Sequence, residues 1–189
     1  PVEELQSRIQ RRWGLHGPAR TFSCACASAV HALDAAVGLI GGGFLEEVLV
    51  AGVELANRTT LAGFASLQLL SPSGCRPLDA ARDGLVLGEA VAAVRLRAKP
   101  APWRVHAPAL LLDPTSATGH DPDGGTIASV MRRALAQAGL EPGGVGAVKV
   151  QAAGSRGADA SEARGLRMVF GAAVPPVLSL KAALWHTLG

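Results

Sequence analysis

The sequence predicts an α/β domain. Short apolar runs of strand length alternate with segments whose apolar residues recur at helical spacing, and glycines and prolines punctuate the joins. With 189 residues, 49% hydrophobic and only 17% charged, the chain is long and apolar enough for one substantial core. Alternating strands and helices imply a sheet covered by helices on both faces.

Near the start, Arg8, Arg11 and Arg12 cluster as a solvated helix face, or as a surface that meets an acidic partner such as a carrier protein. Val30, Leu33, Val37 and Ile40 then fall at steps of three and four and give one apolar helix face, stopped by Gly41-Gly42-Gly43. Residues 47–54, Glu-Val-Leu-Val-Ala-Gly-Val-Glu, read as a short buried strand. Two strand-like runs follow, at 84–96 and 105–112, separated by the turn Lys99-Pro100-Ala101-Pro102. A polar loop at 118–125 leads into a helix with Ile127, Val130, Met131 and Leu135 inward, ending near Gly139. A buried strand at 145–150, a helix at 159–170 and a strand at 177–180 complete the order.

Cys26 is the residue with most chemical content. It lies among small residues at the N-terminus of the helix that carries Val30, Leu33, Val37 and Ile40, where unpaired N–H groups and the helix dipole favour a thiolate. That placement predicts a thiol pKa below the usual value of about 8.5, with room for an acyl group to reach the sulfur. On spacing alone, Cys24 and Cys26 also read as small core residues, the commoner role of free cysteines. Cys-x-Cys with a single distant Cys75 lacks the ligand pairs of a zinc site, so no metal is expected. Three cysteines and no secretory segment argue against a disulfide scaffold and for a reducing, cytoplasmic setting.

The remaining composition excludes other classes. A net charge of +3 arises from scattered arginines, and a chain with no tyrosine and 4% aromatic residues lacks the stacking platform of a single-strand nucleic-acid binder. No uninterrupted apolar run of membrane-spanning length occurs. The chain opens on Pro1 and closes on Trp185-His186-Thr187-Leu188-Gly189 without a polar tail, as a piece of a longer chain would.

Several stretches together resemble the β-ketoacyl-acyl-carrier-protein synthases, the condensing enzymes of fatty-acid and polyketide synthesis. Cys26-Ala27-Ser28-Ala29 is similar to the family's nucleophile turn, and Ala62-Gly63-Phe64 with Leu69-Leu70-Ser71 to its next block. The specific match is 75–90, Cys-Arg-Pro-Leu-Asp-Ala-Ala-Arg-Asp-Gly-Leu-Val-Leu-Gly-Glu-Ala, against Arg-Pro-Phe-Asp…Arg-Asp-Gly-Phe-Val…Gly-Glu-Gly. Residues 121–124 also fit, and 178–189 resembles Ser-x-Lys-x-x-x-Gly-His-x-x-Gly. The resemblance implies a thiolase-like layered αβαβα fold, of which this chain is the middle portion. Residues 1–100 resemble the nucleophile-bearing half and 101–189 the start of the C-terminal half.

The resemblance also implies the chemistry. The cysteine accepts an acyl group from a carrier-protein thioester, and two histidines then assist loss of CO₂ from a malonyl thioester and stabilise the enolate. Carried over residue by residue, the site is Cys26, His186 and Lys181, supported by Glu162, Asp159, Gln151 and Ser155, with Lys181 and Glu162 as an ion pair. No resident cofactor is implied, since the substrates ride on the phosphopantetheine of an acyl carrier protein. The implied partners are that carrier, acyl and malonyl thioesters, and a second ketosynthase subunit in a homodimer or heterodimer.

One departure stands out. The family's Asn-Ala-His-Gly-Thr reads Gln151-Ala152-Ala153-Gly154-Ser155, so Ala153 replaces the first histidine. Three readings follow: condensation with Gln151 or Ser155 supplying the lost donor, acylation of Cys26 without condensation, or a non-elongating partner similar to a chain-length factor. A structural module of a larger synthase is the alternative outside these. His31, about 140° around the helix from Cys26, is expected to be structural. His120 is expected in a solvated loop, Cys75 as a buried thiol, and Asp79, Arg82 and Asp83 in local turn hydrogen bonds. His16 and His106 carry no signal.

Overall fold

A computed structural model describes residues 2–115 and 119–188. Thr118, at the start of the predicted polar loop, and the terminal Gly189 lie outside the described residues. The chain runs α1 (Val2–Trp13), α2 (Ser28–Gly41), β1 (Glu47–Glu54), α3 (Arg58–Ser66), β2 (Ala90–Arg97), α4 (Gly125–Ala138), β3 (Val148–Lys149), α5 (Arg156–Phe170), β4 (Val177–Leu178) and α6 (Lys181–Leu184).

The mixed α/β class and most predicted elements are present. The arginines of α1 are exposed, as a solvated face requires. Helix α2 follows Cys26 directly and α4 closes at Gly139, whose φ of 65° suits a glycine at that end. Helix α5 starts three residues earlier than its apolar pattern suggested, at Arg156. Helix α3 is set by Asn57, whose side chain accepts from the Thr60 N–H at 2.8 Å.

β1 and β2 form an antiparallel ladder from Glu47 opposite Arg97 to Glu54 opposite Ala90. α2 packs on the face carrying Val48, Val50 and Gly52, and burial along β1 alternates instead of being continuous. The opposite face leaves Leu49, Val53 and Val91 exposed, so this ladder is covered on one side only, contrary to the expectation of a sheet covered on both. An apolar strand sequence cannot distinguish these cases, because apolar residues occupy both faces.

The run 105–112 is not a strand. Pro108 removes a ladder donor, and among the described residues no strand pairs with this segment. In 84–96 regular strand begins only at Ala90, while Leu85 and Leu87 make single bridges to Leu70 and His186. The 145–150 and 177–180 runs shorten to β3 and β4, which pair in parallel through Val148 opposite Val177. Val150, Ala152 and Leu166 form the buried core here, with Met131 of α4 and Phe170 of α5 packed against it. The loop 151–155 leaves that core, and its Ala152 carbonyl accepts from the Ser179 hydroxyl, two residues before Lys181, at 2.7 Å.

Candidate active site

Cys26 is held by a tight turn at the mouth of α2. Ala25 adopts φ 49°, the Ala27 N–H bonds the Cys24 carbonyl at 3.1 Å, and the Ser28 hydroxyl spans from the Cys24 N–H to the Ala25 carbonyl. The residue itself is exposed, while its sulfur enters a half-buried contact with His186, Sγ to Nε2 at 3.2 Å.

His186 reaches that position because its backbone is a bridge partner of the 85–88 segment. Its N–H donates to Val86 at 2.8 Å and its carbonyl accepts from Gly88 at 3.0 Å. Gly88 must be glycine, since a Cβ there would collide with the Leu184 carbonyl. The imidazole is only 2% exposed, and its Nδ1 has no hydrogen-bond partner among the described residues. Burial, with Lys181 and Lys149 adding to it, lowers its pKa to about 4, so the ring is neutral at pH 7.

The expected low pKa of Cys26 is not found. Burial raises it above the ordinary thiol value, opposed by the Lys181 charge and a backbone N–H, with Glu54 adding to the rise. Desolvation penalises the charged thiolate and here outweighs both the lysine and the N–H. The resting pair is therefore a thiol beside a neutral imidazole.

The supporting residues divide into two groups. Lys181 is half-buried and electrostatically coupled to Cys26, Cys75 and Glu162, and burial lowers its pKa. The expected Lys181–Glu162 ion pair is absent within 4 Å among the described residues. Glu162 instead accepts the Gln151 and Ala152 N–H groups, each at 2.8 Å, so its oxygens already face donors on the loop. Asp159, 1% exposed, accepts from Leu78, Ala153 and Gly154.

Arg82 was expected to bond locally, and it does reach the Asp79 carbonyl, but it also spans to Ser155, Arg156 and the Asp159 carboxylate. It fastens the 75–90 block to the loop that carries Ala153. Asp79 stays within its turn through the Ala81 N–H, but Asp83, also expected to bond locally, accepts instead from the Ser71 and Ser73 hydroxyls ten and more residues earlier. His120 is exposed. Gln151 is exposed, and neither its side chain nor that of Ser155 bonds Cys26 or His186. Ala153 is buried, and its carbonyl accepts from the half-buried Cys75 thiol at 3.4 Å.

Sequence reasoning missed the long reach of Arg82, the influence of Lys149 on the site charges and the backbone of Trp185. The spacing of Arg82 within a turn motif disguised the first, and nothing in a two-residue strand signals the second.

Two family models cover the chain in succession, the N-terminal domain of beta-ketoacyl synthase over residues 5–101 and its C-terminal domain over residues 108–189. The chain belongs to the β-ketoacyl synthase family. Among its relatives, 3-oxoacyl-[acyl-carrier-protein] synthase 2 of Mycobacterium bovis is 30% identical over 181 residues, spanning 87% of this chain and 43% of that protein. A mycocerosic acid synthase-like polyketide synthase of Mycolicibacterium smegmatis is 33% identical over 193 residues, 95% of this chain but 9% of that protein. The structure of the ishigamide ketosynthase/chain length factor superposes with a TM-score of 0.86 at 27% identity, over 97% of this chain and 47% of that one. A ketosynthase in complex with its chain length factor from Xenorhabdus doucetiae gives 0.83 at 29%, over 97% and 46%. The ketosynthase fold is thus the thiolase-like α/β architecture implied by the sequence, and the chain spans less than half the length of these synthases. No helix among the described residues is long and apolar enough to cross a membrane.

Proposed function

We propose that this chain carries the acyl-accepting centre of a β-ketoacyl-acyl-carrier-protein synthase-like acyltransferase. The 3.2 Å contact between Cys26 Sγ and His186 Nε2 carries this reading. As a carrier thioester arrives, the Cys26 thiol proton passes to the neutral Nε2 while the sulfur bonds the acyl carbon. The carrier C–S bond breaks, and the proton leaves on the departing thiol. Lys181 favours the transient thiolate.

In the condensing half-reaction a malonyl thioester loses CO₂, the resulting enolate attacks the acyl carbon, and Cys26 leaves as thiolate to be reprotonated. His186 is the imidazole available to donate to the enolate oxygen, with Ala153 at the other expected position. Loss of one such donor costs about 2.7–4 kcal/mol of transition-state stabilisation, roughly a hundred- to a thousand-fold in rate. Ala153 accordingly favours a second reading, in which Cys26 holds an acyl group without elongating it or the chain acts as a chain-length-factor-like subunit.

The substrates are acyl and malonyl groups on an acyl carrier protein, the partner a second ketosynthase-like subunit, and the setting cytoplasmic fatty-acid or polyketide synthesis. Relatives from both kinds of synthase and a neighbour solved with its chain length factor support the pathway class and the partner. The successive family matches support division into a nucleophile-bearing part, 1–100, and a following part, 101–189.

The test is intact-mass analysis after incubation with acyl-carrier thioester and then malonyl-carrier thioester. An adduct on Cys26 that is consumed into a two-carbon-longer ketoacyl product is the expected result. A stable adduct selects the acyl-holding reading, and no adduct removes both acylated readings and leaves the chain-length-factor-like subunit or a structural module.

A further inference from the structure

Cys24 and Cys26 are separated by one residue, and both are free and exposed. Ala25 between them takes φ 49°, and the Ala27 N–H closes the chain back onto the Cys24 carbonyl at 3.1 Å. Even a fully extended chain sets Cα atoms two residues apart at no more than about 7 Å, and a turn shortens that span. The pair thus falls within the Cα separation of about 4.4–6.8 Å that a disulfide bridges.

The two thiols differ in what they already touch. Cys26 Sγ lies 3.2 Å from His186 Nε2, and the Lys181 charge favours its thiolate. The Cys24 sulfur makes no hydrogen bond among the described residues, and only its backbone takes part in the turn, through the Ser28 hydroxyl and the Ala27 N–H. The third thiol is already engaged, since half-buried Cys75 donates to the Ala153 carbonyl at 3.4 Å. Acyl transfer uses Cys26 and leaves the uncommitted thiol beside it without a task.

We propose that Cys24 is a resolving thiol for Cys26, and that a hydroperoxide converts the pair into a reversible disulfide that closes the acyl-accepting centre. Cys26 Sγ attacks the peroxide oxygen, and its proton passes to His186 Nε2 and then to the departing hydroxide, which leaves as water. Cys24 Sγ attacks the sulfenic acid formed on Cys26. The S–O bond breaks, the S–S bond forms, and the Cys24 proton leaves with the hydroxyl as a second water. Two thiols lose the two electrons that the peroxide gains. A bridge across a single residue is a small, strained ring that dithiols reduce readily, and it keeps Cys26 from the irreversible sulfinic state. A transient bridge of this kind suits a reducing setting, where structural disulfides do not. As regulation of the site, the inference rests on the proposed acyl-accepting role of Cys26, whereas formation of the bridge does not.

The full chain is treated with hydrogen peroxide, alkylated with iodoacetamide and digested with trypsin, which leaves both cysteines on the peptide 21–58. Loading from S-octanoyl-pantetheine is followed on the same samples before and after dithiothreitol. The expected peptide is unalkylated and lighter by two hydrogens, with loading down at least about tenfold and recovered by dithiothreitol. In Cys24→Ser, peroxide should drive Cys26 to sulfinic acid, and dithiothreitol should recover less than about a third of that variant's own starting loading. Cys75→Ser should behave as the parent. Sulfinic acid forming on Cys26 equally fast in the parent and in Cys24→Ser, or a bridge from Cys26 to Cys75 or to a second chain, overturns the proposal. Normal loading with no bridge after peroxide also overturns it and leaves the acyl-accepting reading intact. A bridge between Cys24 and Cys26 in a protein whose reduced form takes no acyl group removes that reading and leaves the resolving role of Cys24 standing.

Discussion

Cys26 Sγ and His186 Nε2 lie 3.2 Å apart although 160 residues separate them in the chain. Three local devices converge to make that contact: the left-handed Ala25 turn before α2, the bridge between Leu87 and His186, and the short helix α6 that sets Lys181 nearby. The thiol is raised by burial and eased by a lysine, so its reactivity depends on that neighbouring charge.

Lys181→Met should therefore make Cys26 less reactive. Without the ammonium the thiolate loses its main electrostatic support, and alkylation by iodoacetamide at pH 8 should slow by about three- to tenfold. The rate-versus-pH curve should move to higher pH. Peptide mass spectrometry resolves Cys26 from the exposed Cys24, which serves as an internal reference. Equal or faster alkylation of Cys26 in the variant would contradict the role given to Lys181.

His186 should make stability pH-dependent in a definite window. Its folded pKa is about 4 because the ring is buried and faces Lys181 and Lys149, against about 6.5 in an unfolded chain. Above about pH 6.5 neither state binds the proton, and as pH falls from there toward 4 the unfolded chain binds it first. Stability should drop across that interval by an amount of the order of 3 kcal/mol. Urea unfolding of the native protein and of His186→Gln, compared at pH 7 and 4.5, checks this, the variant losing less. Parallel losses in both would place the dependence elsewhere.

Much of this site was legible because its residues sit in local motifs. The helix after Cys26 announces itself by Val30, Leu33, Val37 and Ile40, and His186 by its spacing from Lys181. What depends on long-range geometry was not legible. The proton affinity of Cys26 follows from desolvation by residues far along the chain, and the oxygens of Glu162 go to backbone N–H groups that no side-chain pattern reveals. The apolar run at 105–112 has strand composition, yet pairing needs a partner edge, and Pro108 removes a donor. Burial of β1 on one face only is likewise a property of what packs on it and not of its own sequence.

Asp159 should be a stability residue first. Its buried carboxylate accepts N–H groups from Leu78, Ala153 and Gly154 and faces Arg82 at 3.9 Å, tying two distant segments together. Asp159→Asn replaces one accepting oxygen by a donor that meets other donors. The expected loss is about 2–4 kcal/mol, read as a lowered urea midpoint with unchanged slope. A change below about 0.5 kcal/mol would mean that the carboxylate is dispensable to this junction.

Ala153→His tests what the missing imidazole costs. The site is 2% exposed, so a ring there must displace neighbours, and the thermal midpoint should fall by an amount reflecting about 1–3 kcal/mol of overpacking. Against that loss, the ring would return an imidazole to the position where the family sequence carries its first histidine. If the absent donor limits condensation, ketoacyl product formation from acylated Cys26 should rise by about a hundredfold or more, while the rate of acyl loading stays within about threefold of the parent. Single-turnover assays that follow adduct and product masses separately distinguish the two steps. A folded variant that loads normally and gains no condensation would show that the lost histidine is not the only barrier, and would favour the acyl-holding reading over elongation.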